Sequence, residues 1–228
     1  MADPKSIEVF AAQELSDTRP LDLLINNAGV MALATRQTSP DGHELQFATN
    51  VLGSFRLTGQ LLPALLRAPA PRIVNVASGA HKAGGPLPLE DLDSTEKYGP
   101  IKAYAKTKLA NILFTRELQR RAGDRLLVVA CHPGAAKTNL AGPSSFLMKA
   151  AGLLIYPIVQ SAEMGAEGTL MAATLPSAKP AGYYGPQGFL ELRGHPGEAE
   201  IAAFAHDDVA AAALFEQLTA ITGVTYDL

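Results

Sequence analysis

The 228-residue sequence contains one cysteine, no tryptophan and no marked excess of charge of either sign. The single cysteine, Cys131, excludes a disulfide within the chain and is typical of a reducing compartment, so we expect a cytoplasmic location. A formal net charge of −3 gives no electrostatic reason to expect binding to nucleic acid or to an anionic membrane. The five histidines show no metal-ligand spacing, and we expect no metal site.

Long apolar runs are also missing. The longest, at residues 150–159, is interrupted by Gly152 and Pro157 and is far shorter than the ~20 residues that a helix needs to cross a bilayer. Charged residues, among them Asp3 and Lys5, stand where a signal peptide would have its apolar core. We therefore expect no membrane span and no secretion signal in this chain.

Strands and helices alternate along the chain. Short apolar runs indicate strands buried on both faces, at residues 21–25, 72–77 and 125–131. Apolar residues at helical spacing indicate helices, at residues 7–15, 43–66, 101–121, 161–175 and 207–222. A short strand is predicted at 189–192. This order predicts an α/β fold, with a doubly wound, Rossmann-like parallel sheet in one domain over residues 1–228.

Polar residues and turn formers follow each of the three main strands. They lie at residues 26–29, 78–81 and 132–138. In an open parallel sheet, ligands bind outside the carboxyl ends of the strands, and these three stretches would meet there. The sequence therefore predicts a ligand site built from these loops.

Tyr104 and Lys108 give the strongest local signal. Four residues apart on a helix, they share one face, whereas Lys106 points elsewhere. A phenol with its ordinary pKa of ~10 is a poor base at neutral pH, and a neighbouring ammonium lowers that pKa. The pair therefore indicates acid–base chemistry, although a tyrosine and a lysine at this spacing also occur by chance in many helices.

Two further polar residues strengthen this interpretation. Ser78 ends a buried strand, where its hydroxyl could bond a substrate carbonyl oxygen or simply form a turn. Asn50 lies within an otherwise apolar helix, and its amide must be satisfied there. It either bonds to backbone as a packing device or holds a water that links the lysine to solvent, and the residues leave both alternatives open.

These motifs together resemble the short-chain dehydrogenase/reductase family, in particular its retinol-dehydrogenase-like and WW-domain-oxidoreductase-like members. The matching motifs are Asn-Asn-Ala-Gly at residues 26–29, the catalytic residues Asn50, Ser78, Tyr104 and Lys108, and the turn Pro133-Gly134 followed by Thr138. Their order and spacing agree with the family from about residue 4 to the C-terminus.

The resemblance implies an NAD(P)-dependent oxidoreductase that interconverts an alcohol and a carbonyl by hydride transfer. Tyr104 would be the general acid/base, Ser78 would orient the carbonyl, and Asn50 would anchor a relay water. Lys108 would hold the nicotinamide ribose and lower the pKa of Tyr104. The implied cofactor, NAD or NADP, would contact Asn26, Ala28, Gly29, Tyr104, Lys108, Pro133, Gly134 and Thr138. We expect a small, apolar alcohol or carbonyl substrate, and a homo-oligomer is left open.

One family feature is missing from the sequence. Family members begin with a strand and a glycine-rich turn, Thr-Gly-x-x-x-Gly-x-Gly, which admits the cofactor pyrophosphate to a helix N-terminus. No such turn is present, and the fold is expected to be N-terminally incomplete by roughly 60 residues, about two strand–helix units. Either the working protein is longer, or the chain is a catalytically silent truncated relative that acts as a binding or interaction protein. The intact set of four catalytic residues favours the first alternative.

Other residues and functions carry less weight. We expect Cys131 to be a small core residue, His132 to be a structural turn residue on the cofactor side, and His81 to be exposed. A sugar-nucleotide epimerase of the extended branch also uses Tyr-x-x-x-Lys. The Asn-Asn-Ala-Gly form of the first motif and the short C-terminal region argue against it.

Overall fold

The computed structural model describes residues 1–136 and 160–228 and contains one five-stranded sheet in the order β1 to β5. The strands are β1 (Leu23–Asn26), β2 (Arg72–Val76), β3 (Leu127–Cys131), β4 (Tyr183–Pro186) and β5 (Pro196–Glu198). The first four are parallel and β5 is antiparallel to β4, with Val74 opposite Val129 and Cys131 opposite Tyr184. The sheet confirms the predicted α/β fold and the three main strands.

Helices cover both faces of this sheet, as the doubly wound prediction requires. The helical segments are α1 (Pro4–Ser16), α2 (Leu45–Phe47), a π-helical segment (Ala48–Leu52), α3 (Gly53–Leu65), α4 (Pro100–Ala122), α5 (Ala162–Thr174) and α6 (Asp208–Thr222). Helices α3 and α4 pack on one face with α6 behind α4, and α5 packs on the other. No helix in the described residues is long and apolar enough to cross a membrane.

Sequence features account for where several helices begin. The side chains of Asp3 and Asp207 accept hydrogen bonds from the first-turn amides of α1 and α6, and Ser161 does the same for α5. Pro100 opens α4, a position at which a missing N–H costs nothing. Pro63 does not end the helix that contains it, which continues to Leu65.

The larger core lies between the sheet and α3, α4 and α6. Phe55 is its centre, with ring centroids 5.3 Å from Phe114, 5.2 Å from Phe215 and 4.8 Å from Tyr226. A smaller core, formed by residues such as Val74, lies under α5 on the opposite face. The two cores hold β2 and β3 from both sides.

The strand predicted at 189–192 is wrong. Residues Phe189–Glu191 form a 3₁₀ turn in which Leu190 and Glu191 have φ of 51° and 57°, values that a strand does not allow. The strands of this region are β4 and β5, on either side of the turn. Neither β4 nor β5 was predicted from the sequence, although the two adjacent tyrosines of β4 favour a strand.

Candidate active site

An open cavity of about 690 Å³ lies at the carboxyl ends of β1, β2 and β3, where the sequence predicted a ligand site. Its wall includes Ala28 and Gly29 after β1, Tyr104 and Lys108 from α4, and Pro133 after β3. Helix α5 closes one side with Gly165, Ala166 and Thr169. The topology therefore brings together three loops that lie far apart in the sequence.

Tyr104 and Lys108 lie on one face of α4, as their spacing predicted. Both are buried, and the Lys108 Nζ atom lies 5.6 Å from the centroid of the Tyr104 ring. The same Nζ atom donates a hydrogen bond to the Val76 carbonyl oxygen at 2.8 Å. Lys106 points away from the cavity and donates to the Asp91 carbonyl oxygen at 2.6 Å. Only one of the two lysines of the motif therefore faces the site.

Burial controls the acid–base properties of this pair. It lowers the pKa of Lys108 to about 8, because little solvent stabilises the ammonium. Burial also raises the pKa of the Tyr104 phenol above its ordinary value, and a hydrogen bond with the Ser78 side chain offsets part of that rise. The sequence led us to expect a lower Tyr104 pKa. That expectation is wrong for the chain without ligand, because burial disfavours the phenolate and the Lys108 ammonium bonds to Val76.

Ser78 follows β2 and is half-buried. Its hydroxyl oxygen accepts a hydrogen bond from the Ala80 amide at 3.1 Å and caps the 3₁₀ turn Gly79–Ala83. The turn-forming alternative is therefore correct. The Ser78 side chain also lowers the pKa of the Tyr104 phenol, so it lies near that group as well.

Asn50 lies in the π-helical segment, a distortion that is often found at functional sites. Its Nδ2 atom donates to the Val30 carbonyl at 2.9 Å and to the Thr107 hydroxyl at 3.0 Å. Its Oδ1 atom accepts from the Val30 amide at 2.8 Å. The side chain thus ties α4 to the loop after β1, which is the packing alternative. The anchoring of a relay water by Asn50 stays a prediction.

The Asn-Asn-Ala-Gly motif divides between the two faces of the sheet. Asn26 was expected at the cofactor, but its buried amide points away from the cavity and donates to Thr58 Oγ1 at 2.9 Å and to Asn75 Oδ1 at 2.8 Å. Alternation along β1 is the reason, since successive side chains point to opposite faces. Asn27 and the two small residues after it line the cavity instead.

Little space is left beside Gly29. A Cβ atom there would lie 3.0 Å from Asn50 Oδ1, which is a tight contact, and 3.8 Å from Lys108 Nζ, which is an ordinary van der Waals distance. A side chain at this position would therefore require the Asn50 side chain to shift slightly. The sequence predicted a close approach at this glycine, and the structure shows that the neighbour is the Asn50 side chain.

The turn after β3 borders two cavities. Pro133 lines the large cavity, whereas Gly134 lines a smaller pocket beside Ser78. Gly134 has φ of 64°, and a Cβ atom there would lie 2.5 Å from the Leu192 carbonyl oxygen, so a side chain is excluded. Thr138, also predicted at the cofactor, lies outside the described residues.

Two histidines have roles that the sequence did not reveal. His81, expected to be exposed, is fully buried. Its Nδ1 atom bonds to the Ser78 carbonyl at 2.7 Å and its Nε2 atom accepts from the Ala202 amide at 3.1 Å. His132 is buried and stacks on Tyr183 with centroids 5.1 Å apart, and burial lowers its pKa to about 4. Ala202 and Tyr183 lie more than 50 residues from their histidine partners along the chain, and no local pattern predicts these contacts.

The comparisons with known proteins agree with this geometry. The family model described as short chain dehydrogenase matches residues 1–145. The chain belongs to the short-chain dehydrogenase family. The resemblance that the motifs indicated is therefore confirmed.

Two human retinol dehydrogenases are among the curated relatives, and both are 40% identical to this chain. Retinol dehydrogenase 13 of Homo sapiens is 40% identical over 192 residues, covering 81% of this chain and 57% of that protein. Retinol dehydrogenase 12 of Homo sapiens is 40% identical over 181 residues, covering 79% of this chain and 56% of that protein. The chain thus spans little more than half the length of these relatives.

Solved structures show the same fold. The crystal structure of an uncharacterized protein from Mycobacterium Paratuberculosis matches with a TM-score of 0.79 and 35% identity, covering all of this chain and 75% of that one. The NADPH-bound carbonyl reductase from chicken fatty liver matches with a TM-score of 0.54 and 25% identity, covering 80% of this chain and 70% of that one. The family and the Rossmann-like fold are therefore shown by sequence and by structure.

Proposed function

We propose that this chain is an NAD(P)-dependent oxidoreductase that interconverts an alcohol and a carbonyl compound. The observation that carries the proposal is the buried Tyr104–Lys108 pair on the wall of the large cavity, with the Lys108 Nζ atom 5.6 Å from the centroid of the Tyr104 ring. The names of the retinol dehydrogenases and of the NADPH-bound carbonyl reductase support the same reaction class. A cytoplasmic location and a single domain stay predictions.

The large cavity suits the nicotinamide half of a dinucleotide. Its volume of about 690 Å³ lies within the ~300–1,000 Å³ usual for small-molecule sites. A Cβ atom at Gly29 would be in tight contact with Asn50 Oδ1, and Lys108 uses one of its three N–H donors on Val76. We propose that the remaining donors of Lys108 hold ribose hydroxyls and that Ala28, Gly29 and Pro133 border the cofactor. The described residues leave the choice between NAD and NADP open.

The bound nicotinamide would supply or accept the hydride, and the chain would manage the proton. In the reductive direction, the neutral Tyr104 phenol favoured by burial donates its proton to the substrate oxygen. Ser78 donates a hydrogen bond to the same oxygen as charge develops on it. Lys108 stabilises the phenolate left on Tyr104, because it is the cation beside that ring.

Tyr104→Phe tests this mechanism. The change removes the acidic hydroxyl and keeps the ring, so we expect kcat to fall by about 10²–10⁴-fold, the usual contribution of general acid–base catalysis. The assay is carbonyl-dependent oxidation of NADH or NADPH by the purified chain, with thermal unfolding as a check of folding. Lys106→Ala is the matched control for Lys108→Ala, because Lys106 lies on the same helix and points away. Equal losses in both lysine variants, or full activity in Tyr104→Phe, would count against the mechanism.

A catalytically silent interaction protein is the second candidate. One feature of the described sheet favours this candidate. Leu23 and Ile25 of β1 are each 37% exposed and form an apolar edge that a protein partner could cover. If the purified chain neither binds NADH or NADPH nor reduces any carbonyl compound, while remaining folded, this second candidate replaces the first.

A further inference from the structure

A second pocket lies beside Ser78, apart from the large cavity. It has a volume of about 190 Å³ and lies between the 3₁₀ turns Gly79–Ala83 and Phe189–Glu191. Its polar lining consists of Ser78, Lys82, His132 and Glu191. Since Ser78 is the proposed carbonyl-orienting residue, this pocket adjoins the end of a substrate whose carbonyl oxygen lies between Ser78 and Tyr104.

An ion pair forms one wall of this pocket. The Lys82 Nζ atom donates to Glu191 Oε2 at 2.8 Å, and Glu191 Oε1 accepts from the Glu200 amide at 3.4 Å. The carboxylate is thus held from two sides. Lys82 has two further N–H donors, and the carboxylate can accept additional hydrogen bonds. The pair therefore presents a donor and an acceptor next to each other.

His132 adds a polar group to the inner end of the pocket. Its Nδ1 atom accepts from the Gly134 amide at 3.3 Å, so the neutral ring carries its proton on Nε2. Nε2 is 3.8 Å from Glu191 Oε2 and has no hydrogen-bond partner in the described part of the chain. This N–H lies close to the same carboxylate, so His132, Lys82 and Glu191 form the polar part of a lining that also includes Leu190 and Leu192.

The lining and the size of the pocket indicate the kind of substrate that fits it. A volume of about 190 Å³ is below the ~300–1,000 Å³ typical of pockets for drug-sized ligands. Pushing an apolar group against Lys82 and Glu191 would displace water from charged atoms without replacing its hydrogen bonds, which costs free energy. A hydroxyl both donates and accepts, and it therefore matches the ion pair.

We propose that Lys82 and Glu191 are specificity-determining residues that select a small carbonyl compound with a hydroxyl group next to the carbonyl. The inference rests on the proposed oxidoreductase function and names the substrate class of the same site. In the reductive direction, the carbonyl carbon would accept a hydride from bound NADH or NADPH, which would be oxidised. Tyr104 protonates the oxygen, so a hydroxyketone becomes a diol. The substrate hydroxyl bonds to the ion pair and stays unchanged.

The test compares two ketones that differ by one hydroxyl group, 3-hydroxybutan-2-one and butan-2-one. A hydrogen bond to a charged group contributes enough to make kcat/KM about tenfold or more higher for the hydroxyketone. We expect this ratio to fall close to one in Lys82→Met and in Glu191→Gln. A wild-type ratio near one, an unchanged ratio in both variants, or a preference for all-trans-retinal over both ketones would overturn the proposal.

Lys179→Met is the matched control. Lys179 forms an exposed ion pair with Glu198 at 2.6 Å, and neither residue lines the pocket. The control should keep the wild-type ratio. A fall in the ratio equal to that of Lys82→Met would show that the loss of any surface ion pair has this effect, and the proposal would then be wrong.

A binding measurement separates this inference from the proposed function. Saturation-transfer NMR detects 3-hydroxybutan-2-one on the purified chain without turnover. Turnover without a hydroxyl preference keeps the proposed function and overturns the pocket assignment. Binding that disappears in Lys82→Met, with no turnover of any carbonyl compound, keeps the pocket and overturns hydride transfer. If neither binding nor turnover is observed, both proposals are overturned.

Discussion

The centre of the sheet and its β1 edge differ sharply, although both consist of apolar strands. Ile73, Val74, Val128 and Val129 in β2 and β3 are fully buried, because each strand has a neighbour on both sides and helices cover both faces. In β1 only Leu24 and Asn26 are buried, and the alternate residues Leu23 and Ile25 are each 37% exposed. In the described residues β1 pairs with β2 alone.

The two parts of the sheet correspond to two parts of the proposed reaction, proton transfer and cofactor binding. The groups that handle the proton rest on the closed part, where Lys108 bonds to the end of β2 and Ser78 follows that strand. The surface that would meet the cofactor includes Ile25 and the loop after β1, on the open part. The acid–base residues therefore lie next to strands that are buried on both faces, while the cofactor side includes a strand with partly exposed side chains.

The largest expected effect on stability is seen when isoleucine is replaced by alanine in the centre of the sheet and at its β1 edge. Ile73→Ala in β2 should lower the free energy of unfolding by about 2–5 kcal/mol, since it leaves a cavity in the larger core. Ile25→Ala in β1 should cost less than about 1 kcal/mol, because the side chain is already partly in water. Urea unfolding followed by circular dichroism measures both. Equal losses would mean that the β1 edge is covered in solution.

The second prediction concerns the buried lysine of the closed part. The pKa of Lys108 is lowered from 10.5 to about 8, so the unfolded chain binds more protons between these pH values, and folding becomes more favourable as the pH rises through them. Below pH 8 the buried ammonium costs up to about 3 kcal/mol. Lys108→Met should therefore be more stable than the wild type at pH 7, and the difference should shrink by pH 10.

Urea midpoints of the two proteins at pH 7 and pH 10 provide the measurement for this second prediction. The difference between variant and wild type is the relevant quantity, because other lysines and tyrosines titrate in both proteins. A constant difference across this range would show that the ammonium is solvated in the folded chain. Loss of turnover in the same variant is expected, which would make Lys108 a residue whose function costs stability.

The third prediction separates the two asparagines of the first motif. Asn26→Ala should lower the free energy of unfolding by about 1–3 kcal/mol, because Asn75 loses a hydrogen-bond donor in a buried place. Asn27→Ala should leave stability within about 0.5 kcal/mol, since Asn27 is exposed, and should instead weaken NADH or NADPH binding. Thermal unfolding and cofactor fluorescence titration measure the two effects. Weaker cofactor binding in Asn26→Ala together with a loss of stability in Asn27→Ala would show that the two side chains do not have the roles assigned to them.

The smallest expected effect is at Cys131, at the end of β3. Burial raises the pKa of this thiol to about 11, and the side chain is fully covered. Thiolate is the reactive form, so a disulfide reagent at pH 8 should leave the native chain unlabelled. The same reagent should label the chain completely in urea. Rapid labelling without denaturant would show that the centre of the sheet opens more readily than its packing indicates.

Local patterns were sufficient for much of the fold and of the candidate site. The runs of Val and Ile in β2 and β3 and the four-residue spacing of Tyr104 and Lys108 need no information from elsewhere in the chain. Residues 189–192 were misread, because left-handed backbone at Leu190 and Glu191 is stabilised by neighbouring segments rather than by residue type. The direction of the Asn26 side chain could not be predicted, because a loop motif does not reveal which of its residues still belongs to a strand.

By itself, then, the sequence determined which residues can carry a proton and the order of strands and helices that places them at one end of a sheet. Only the tertiary structure decided the acid–base properties of these residues. Burial raises the pKa of Tyr104, and the folded chain places the Val76 carbonyl oxygen where the Lys108 ammonium donates to it. It also paired Lys82 with Glu191, 109 residues apart, beside Ser78. Residue types and spacing are local properties, whereas burial and long-range contacts exist only after the chain has folded.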